Sequence, residues 1–254
     1  MQYQVAGVSF CIHFEDYAEG RALLPSYEPF LVEQTDAPRI FTLTINKDAV
    51  DLNEAGKEIG RFDTPNSRHD VYLLPDGGYK MIVSNFRKEP AAAFVTNADF
   101  SSIKVSLFGN KRNWFFGLNN AIMIAFAFSG AQKDLLLIHA SVTMKDGKGY
   151  LFLGKSGTGK STHSQLWLKH IPGTELLNDD DPAVRLINDE VIVYGTPWSG
   201  KTPCYKNKQV PIGAFVKLEQ YPENIIRREP PLKAFATLLT STSSMLWDKP
   251  LYEK

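Results

Sequence analysis

Gly154-Lys155-Ser156-Gly157-Thr158-Gly159-Lys160-Ser161-Thr162 follows directly on the apolar run Tyr150-Leu151-Phe152-Leu153. The spacing is that of a phosphate-binding loop (Walker A) set between a strand and a helix. Glycines let backbone N–H groups turn inward around phosphate oxygens. Lys160 is spaced to reach the β and γ phosphates, and the Ser161 hydroxyl can complete a Mg²⁺ shell. Residues 162–171 read as a helix stopped by Pro172-Gly173, with Trp167 and Ile171 four residues apart on its sheet side. The positive N-terminal end of that helix adds to the anion site. Together these features predict an α/β unit that takes a nucleotide.

Outward from the loop, residues 135–143 are β-prone and Asp146-Gly147 is a tight-turn pair, so this run and residues 150–153 are expected to form a hairpin. A second hairpin is expected from residues 184–187 and 191–194, joined through Asn188-Asp189. Successive parallel strands need a helix-sized crossover, and these connections are too short for one. The sheet that carries the loop is therefore expected to be mixed, giving an α/β fold with α+β character. A later helix is expected over residues 232–247. Residues 248–254 read as the start of another, which predicts a C-terminal segment beyond them.

The first part of the chain reads differently. Short strands at residues 40–45, 71–74, 79–83 and 103–108 are broken by turn residues such as Pro75-Asp76-Gly77-Gly78. This predicts a β-rich domain over residues 1–112, a packing or recognition module without legible chemistry, and a loop-bearing domain over residues 113–254. Residues 114–128 form an apolar helix candidate at the joint. Asn119 and Asn120 interrupt its apolar run, which falls short of the ~20 residues a bilayer span requires, so a buried helix is expected.

A phosphate loop alone defines no reaction; something must hold the metal and manage the acceptor's proton. Asp179 and Asp180 follow the apolar pair Leu176-Leu177, where an acidic residue at a strand end would face a metal held by Ser161. One carboxylate can bind Mg²⁺ while its neighbour accepts a hydroxyl proton, and a like-charge pair tends to raise one pKa. Read alone, Asn178-Asp179-Asp180-Asp181-Pro182 is better taken as a solvated turn; the phosphate loop upstream of it reverses that reading. His139 lies in Leu137-Ile138-His139-Ala140-Ser141, either a core histidine or a neighbour of the loop. Lys201, in Gly195-Thr196-Pro197-Trp198-Ser199-Gly200-Lys201, is either a second cation on the transferring phosphoryl group or an exposed lysine in an ordinary turn.

Three segments fall in order: Ile138-His139-Ala140, the loop Gly154 to Thr162, and Leu176-Leu177-Asn178-Asp179-Asp180. Together they resemble the catalytic core of the HPr kinase/phosphorylase family, which is in turn similar to that of phosphoenolpyruvate carboxykinase. The match covers about a third of the chain, roughly residues 135–218. The resemblance implies a mixed-sheet P-loop kinase core, ATP with Mg²⁺, base and metal contacts from Asp179 and Asp180, and His139 near the phosphates. The chain reads as a divergent member: Thr162 and His163 stand where those kinases carry an acidic residue, closer to the carboxykinase style of loop, and Gly195 to Lys201 takes the place of their glycine-rich segment.

Composition narrows the partners. Twenty-eight basic and 28 acidic residues cancel, so no broad basic field exists to hold nucleic acid or an anionic membrane. Cys11 and Cys204 are the only cysteines, too few for a disulfide scaffold or thiolate metal site. The N-terminus has no cationic start before a long apolar core, so a cytoplasmic location is expected. The expected function is an ATP- and Mg²⁺-dependent kinase acting on a serine-like hydroxyl of a small molecule, peptide or protein, with a homo-oligomer left open. Two alternatives stand beside it: a nucleotide-binding regulatory protein without phosphoryl transfer, and carboxykinase-type chemistry on a keto acid. No clear His/Lys/Asp set for the Mn²⁺-type site of the last is legible in the sequence.

Overall fold

Two-residue turns with both central residues left-handed match the right-handed twist of the strands they join, which is why they close hairpins. Asp146 and Gly147 hold φ of +50° and +71°, and Asn188 and Asp189 hold +50° and +63°. Both turns close the hairpins expected from sequence. The computed structural model describes residues 1–46, 50–53, 56–64, 66–200 and 202–243. It is a mixed α/β structure, mostly strand, with two large mixed sheets in two units, Met1–Lys133 and Asp134–Ser244.

The first unit contains β1 (Gln2–Val5), β2 (Val8–His13), α1 (Tyr17–Ala22), β3 (Leu31–Val32), β4 (Arg39–Ile45), β5 (Lys57–Asp63), β6 (Arg68–Leu73), β7 (Tyr79–Ser84), β8 (Pro90–Thr96), β9 (Ser102–Leu107) and α2 (Lys111–Ala131). Its sheet runs β3-β1-β2-β4-β9-β8-β7-β6-β5, parallel at β2/β4 and β4/β9 and antiparallel elsewhere. The Asn110 side chain caps α2 by accepting from the N–H groups of Arg112 and Asn113. The helix lies on β4, β7, β8 and β9. Gly117 permits its closest approach, since a Cβ there would stand 2.7 Å from the Ala91 backbone. Phe126 meets Phe10, which stacks on Phe41 with ring centroids 4.9 Å apart. The helix expected at the head of the second domain thus packs into the first unit, and the division falls after it. At 21 residues it is long and apolar enough to cross a bilayer, longer than its sequence run suggested; its middle and C-terminal half is buried in the unit.

The second unit contains β10 (Leu135–Ile138), β11 (Ala140–Lys145), β12 (Lys148–Leu153), α3 (Lys160–His170), β13 (Glu175–Asp180), β14 (Ala183–Ile187), β15 (Glu190–Tyr194), β16 (Gln209–Lys217), α4 (Pro231–Ser241) and β17 (Thr242–Ser243). The sheet order is β13-β11-β12-β16-β15-β14-β10-β17, with only β12/β16 parallel. The mixed sheet expected from the short connections is therefore observed. Residues 135–143, read as one strand, are two. The chain changes partners at His139, with β10 pairing β14 and β17 while β11 pairs β12 and β13. The backbone N–H of His139 donates to Ser241 O at 2.7 Å, outside both ladders. β16 makes the reciprocal switch, pairing β15 through residues 209–211 and β12 from Ile212 onward.

Ile138, Ala140, Val142, Leu151, Leu153, Leu177, Val184 and Val193 make a core on one face of this sheet. α3 covers the other face, where Trp167 packs on Tyr150 and Phe152; Ile171, expected beside it, lies just past the helix end. The later helix ends at Ser241. Thr242 and Ser243, expected to continue it, are instead strand β17 paired with β10, and residues 244–254 lie outside the described residues.

Candidate functional site

The loop leaves β12 at Leu153 and enters α3 at Lys160. Gly157 and Gly159 hold φ of +83° and +108°, values that favour glycine, and a Cβ at either would meet no heavy atom within 4 Å. Backbone conformation rather than crowding selects these glycines, and the space over them is open. Gly159 stands at the N-cap of α3 with no side-chain cap bond, so first-turn N–H groups are left for an anion. Thr158 closes the loop on itself, its N and Oγ1 donating to Lys155 O at 3.1 and 2.6 Å.

Lys160 is buried, and its ammonium lies 2.9 Å from Gly154 O and 2.9 Å from His139 Nε2. On the other side of the imidazole, His139 Nδ1 lies 3.1 Å from Asp180 Oδ1. A neutral ring protonated at Nδ1 satisfies every role, accepting from Lys160 and donating to Asp180. The hydrogen bond to Asp180 holds His139 above its ordinary value, against the lowering effect of burial. Burial pushes Lys160 below the usual lysine value, partly offset by the carboxylates of Asp180, Asp179 and Asp181. The change of partners at His139 brings its ring to the loop: β11 runs beside the loop-bearing strand β12, and His139 immediately precedes it.

Asp179 and Asp180 both sit at the end of β13, but they face different ways. Asp179 is directly opposite Ser141 in the antiparallel ladder, so their side chains share a face. That face is covered by α3, because Ser141 Oγ meets Ser164 Oγ at 2.6 Å. Asp179 is only 4 % exposed, and neither carboxylate oxygen has a hydrogen-bond partner among the described residues. A buried acceptor left unsatisfied costs about 1–3 kcal/mol, more when charged. Such an orphaned carboxylate on the face of α3, whose second residue is Ser161, fits a divalent cation. Asp180 is opposite Ala140, a core-face residue, and its carboxylate goes to His139 instead.

The carboxyl with the raised value is Asp181, pushed up to about 7 by burial and by the Asp180 charge beside it. Ligand atoms of His139, Asp180 and Asp181 lie within 4.8 Å of one another, close enough to share one metal ion. This set, beside Lys160, supplies the His/Lys/Asp grouping that sequence did not reveal.

A buried amide organises the segment. Asn178 Nδ2 donates to Trp198 O at 2.9 Å and to Thr196 Oγ1 at 3.1 Å, while its Oδ1 accepts from Asp180 N at 2.9 Å. Thr196 Oγ1 donates in turn to Asp181 O at 2.7 Å. The loop of residues 195–200 is thereby held along the aspartates, with Gly200 N donating to Asp179 O at 3.0 Å. Lys201, read either as a second cation or as an exposed turn lysine, lies outside the described residues. Asn178, Thr196 and Asp181 are the site residues that the sequence did not single out. The run of three aspartates was the one local signal for Asp181; the Asn178 contacts span about twenty residues and leave no local trace.

On the opposite flank of the loop is a cleft of about 430 Å³, lined by Gly154, Lys155, Ser156, Gly157 and Thr158 and by Lys217, Leu218, Glu219 and Gln220 beyond β16. The arrangement can hold a polyanion along the loop, with titratable groups at one end and a cleft at the other. No family model and no curated protein matches the chain.

Proposed function

We propose that the chain is an ATP- and Mg²⁺-dependent kinase that transfers a phosphoryl group to a serine-like hydroxyl, on a P-loop kinase core of the HPr kinase and phosphoenolpyruvate carboxykinase type. The observation that carries this reading is Asp179, a buried carboxylate with no partner, on the sheet face that the loop helix α3 covers. Ser161 and Asp179 would hold Mg²⁺, which when bound neutralises charge on the phosphate oxygens. The loop amides and Lys160 bind the phosphates, Lys160 exchanging His139 for an anionic partner. Asp180, with His139 against it, would take the acceptor's proton. Catalysis is then mostly positioning and charge neutralisation. A cytoplasmic site of action accords with this reading.

The test is transfer from γ-labelled ATP with Mg²⁺ to a panel of hydroxyl acceptors and to an extract of the source cells. Lys160→Ala should abolish nucleotide binding; Asp179→Asn and Asp180→Asn should lose transfer with much binding retained. Normal turnover in both aspartate variants overturns the assignment. ATP binding by calorimetry without ADP formation on any acceptor points to the regulatory alternative.

One observation favours a second reading. His139, Asp180 and Asp181 together form a mixed nitrogen and oxygen site of the sort that suits Mn²⁺. Carboxykinase-type chemistry on a keto acid would use it, and Mn²⁺-dependent decarboxylation of oxaloacetate is the distinguishing assay.

A further inference from the structure

The cleft beyond β16 has the position and chemistry to take the uncharged half of a nucleotide. β12 and β16 are the parallel pair of the second sheet, and ligands of α/β sheets bind outside the carboxyl ends of such strands. The phosphate loop leaves the end of one and residues 217–220 leave the end of the other. The two exits are locked together: Leu218 N donates to Leu153 O at 2.8 Å, and a Cβ on Gly154 would stand 3.3 Å from Leu218 O. The cleft between them is thus fixed in width, and about 430 Å³ falls within the ~300–1,000 Å³ of small-molecule sites.

Charge sets the direction of a bound triphosphate. Lys160, His139 and the aspartates lie at one end of the loop, where a metal and a transferring phosphate belong. On the other flank the carboxylate of Glu219 stands in the cleft wall, paired with Lys217 at 2.7 Å and with Arg227 3.9 Å away. A carboxylate in the wall suits a nucleoside, whose hydroxyl or amino groups can donate to it, rather than another phosphate. Leu218 offers an apolar surface, and the Gln220 amide, both donor and acceptor, can read a base edge.

We infer that residues 217–220 form the nucleoside subsite, with Gln220 as its base-reading side chain. The inference rests on the phosphate-loop reading, so the experiment separates the two. Calorimetry with Mg²⁺ would compare inorganic tripolyphosphate, ATP, GTP and CTP on the wild type, Gln220→Ala and Glu219→Gln. The wild type is expected to prefer one of the three nucleotides and to bind it about tenfold or more tighter than tripolyphosphate. Gln220→Ala should erase most of that preference, an effect of up to about tenfold for one lost hydrogen-bonding group, and leave tripolyphosphate binding unchanged. Glu219→Gln should weaken nucleotide binding in the same selective way. Unaltered base preference in both variants, or equal losses for tripolyphosphate and nucleotide, overturns the subsite. Failure of tripolyphosphate to bind the wild type overturns the phosphate-loop reading instead.

Discussion

Lys160 Nζ stands 2.9 Å from His139 Nε2, while Nδ1 of the same ring faces Asp180 at 3.1 Å. Lys160 is therefore linked, through one imidazole, to the carboxylate of Asp180. The contact requires an unprotonated Nε2, so protonating His139 releases the lysine.

His139 should titrate above the ordinary histidine value in the metal-free, nucleotide-free protein, and Asp180→Asn should bring its midpoint down. Histidine ring resonances followed by NMR across pH check this; an unmoved midpoint in the variant removes Asp180 as the cause. The linkage has a defined sign. A folded value above the unfolded one of about 6.5 adds stability that is complete below that pH and is lost as pH rises through the folded value.

Asp181 runs the same way as pH rises, over a lower interval. Its carboxyl is pushed from the ordinary aspartate range up to about 7, so across that interval the folded state holds a proton that the unfolded state has shed. Stability should fall as pH rises from about 4 to about 7 and level off above it. Asp181→Asn should flatten that decline and melt above the wild type at pH 8. Thermal melts of both proteins from pH 4 to 8 measure it; parallel profiles count against a raised Asp181.

Asp179→Asn should separate stability from activity. In metal-free protein the variant removes a buried charge with no donor, so unfolding free energy should hold steady or rise by about 1–3 kcal/mol. Under the proposed function, the same change should lower Mg²⁺-dependent turnover by about a hundredfold or more, the scale of losing one preorganised electrostatic contact. Denaturant melts and turnover on a single preparation test both halves. A variant that is destabilised and yet turns over normally contradicts both.

The legible parts of this molecule are those set by neighbours in sequence. Asp146-Gly147 and Asn188-Asp189 announce their hairpins because their left-handed backbone is a local preference. The loop glycines are legible for the same reason, and the short connections around them correctly exclude a wholly parallel sheet. His139 shows where this stops: it lies inside an unbroken apolar run, and only the switch from β14 to β12 as strand partner turns it toward Lys160. β16 is not legible as a strand, since Pro211 and Gly213 interrupt its pattern and its ladder depends on distant β12 and β15. The unpartnered state of Asp179 follows from ladder register and burial, neither of which a run of aspartates encodes.

Asn178 is the remaining test of how the site is held. Its fully buried amide ties the Asp180 N–H, the Thr196 hydroxyl and the Trp198 carbonyl into one cluster, so it sets where the aspartates stand relative to the loop of residues 195–200. Removing it in Asn178→Ala strands a buried donor and acceptors, a loss of about 1–3 kcal/mol. That alone is what any structural asparagine would do. A positioning role adds a second signature: Asp180 shifts, the bond that holds His139 above its ordinary value weakens, and the His139 midpoint moves down although residue 178 does not touch the ring. Asn178→Asp, of the same shape, keeps the acceptor for Asp180 N but loses the amide donor to Trp198 O and Thr196. It should therefore restore the His139 midpoint better than it restores stability. NMR titration of His139 beside thermal melts of the two variants decides the matter. If Asn178→Ala lowers stability and leaves His139 titrating as in the wild type, the amide only packs the loop and positions nothing.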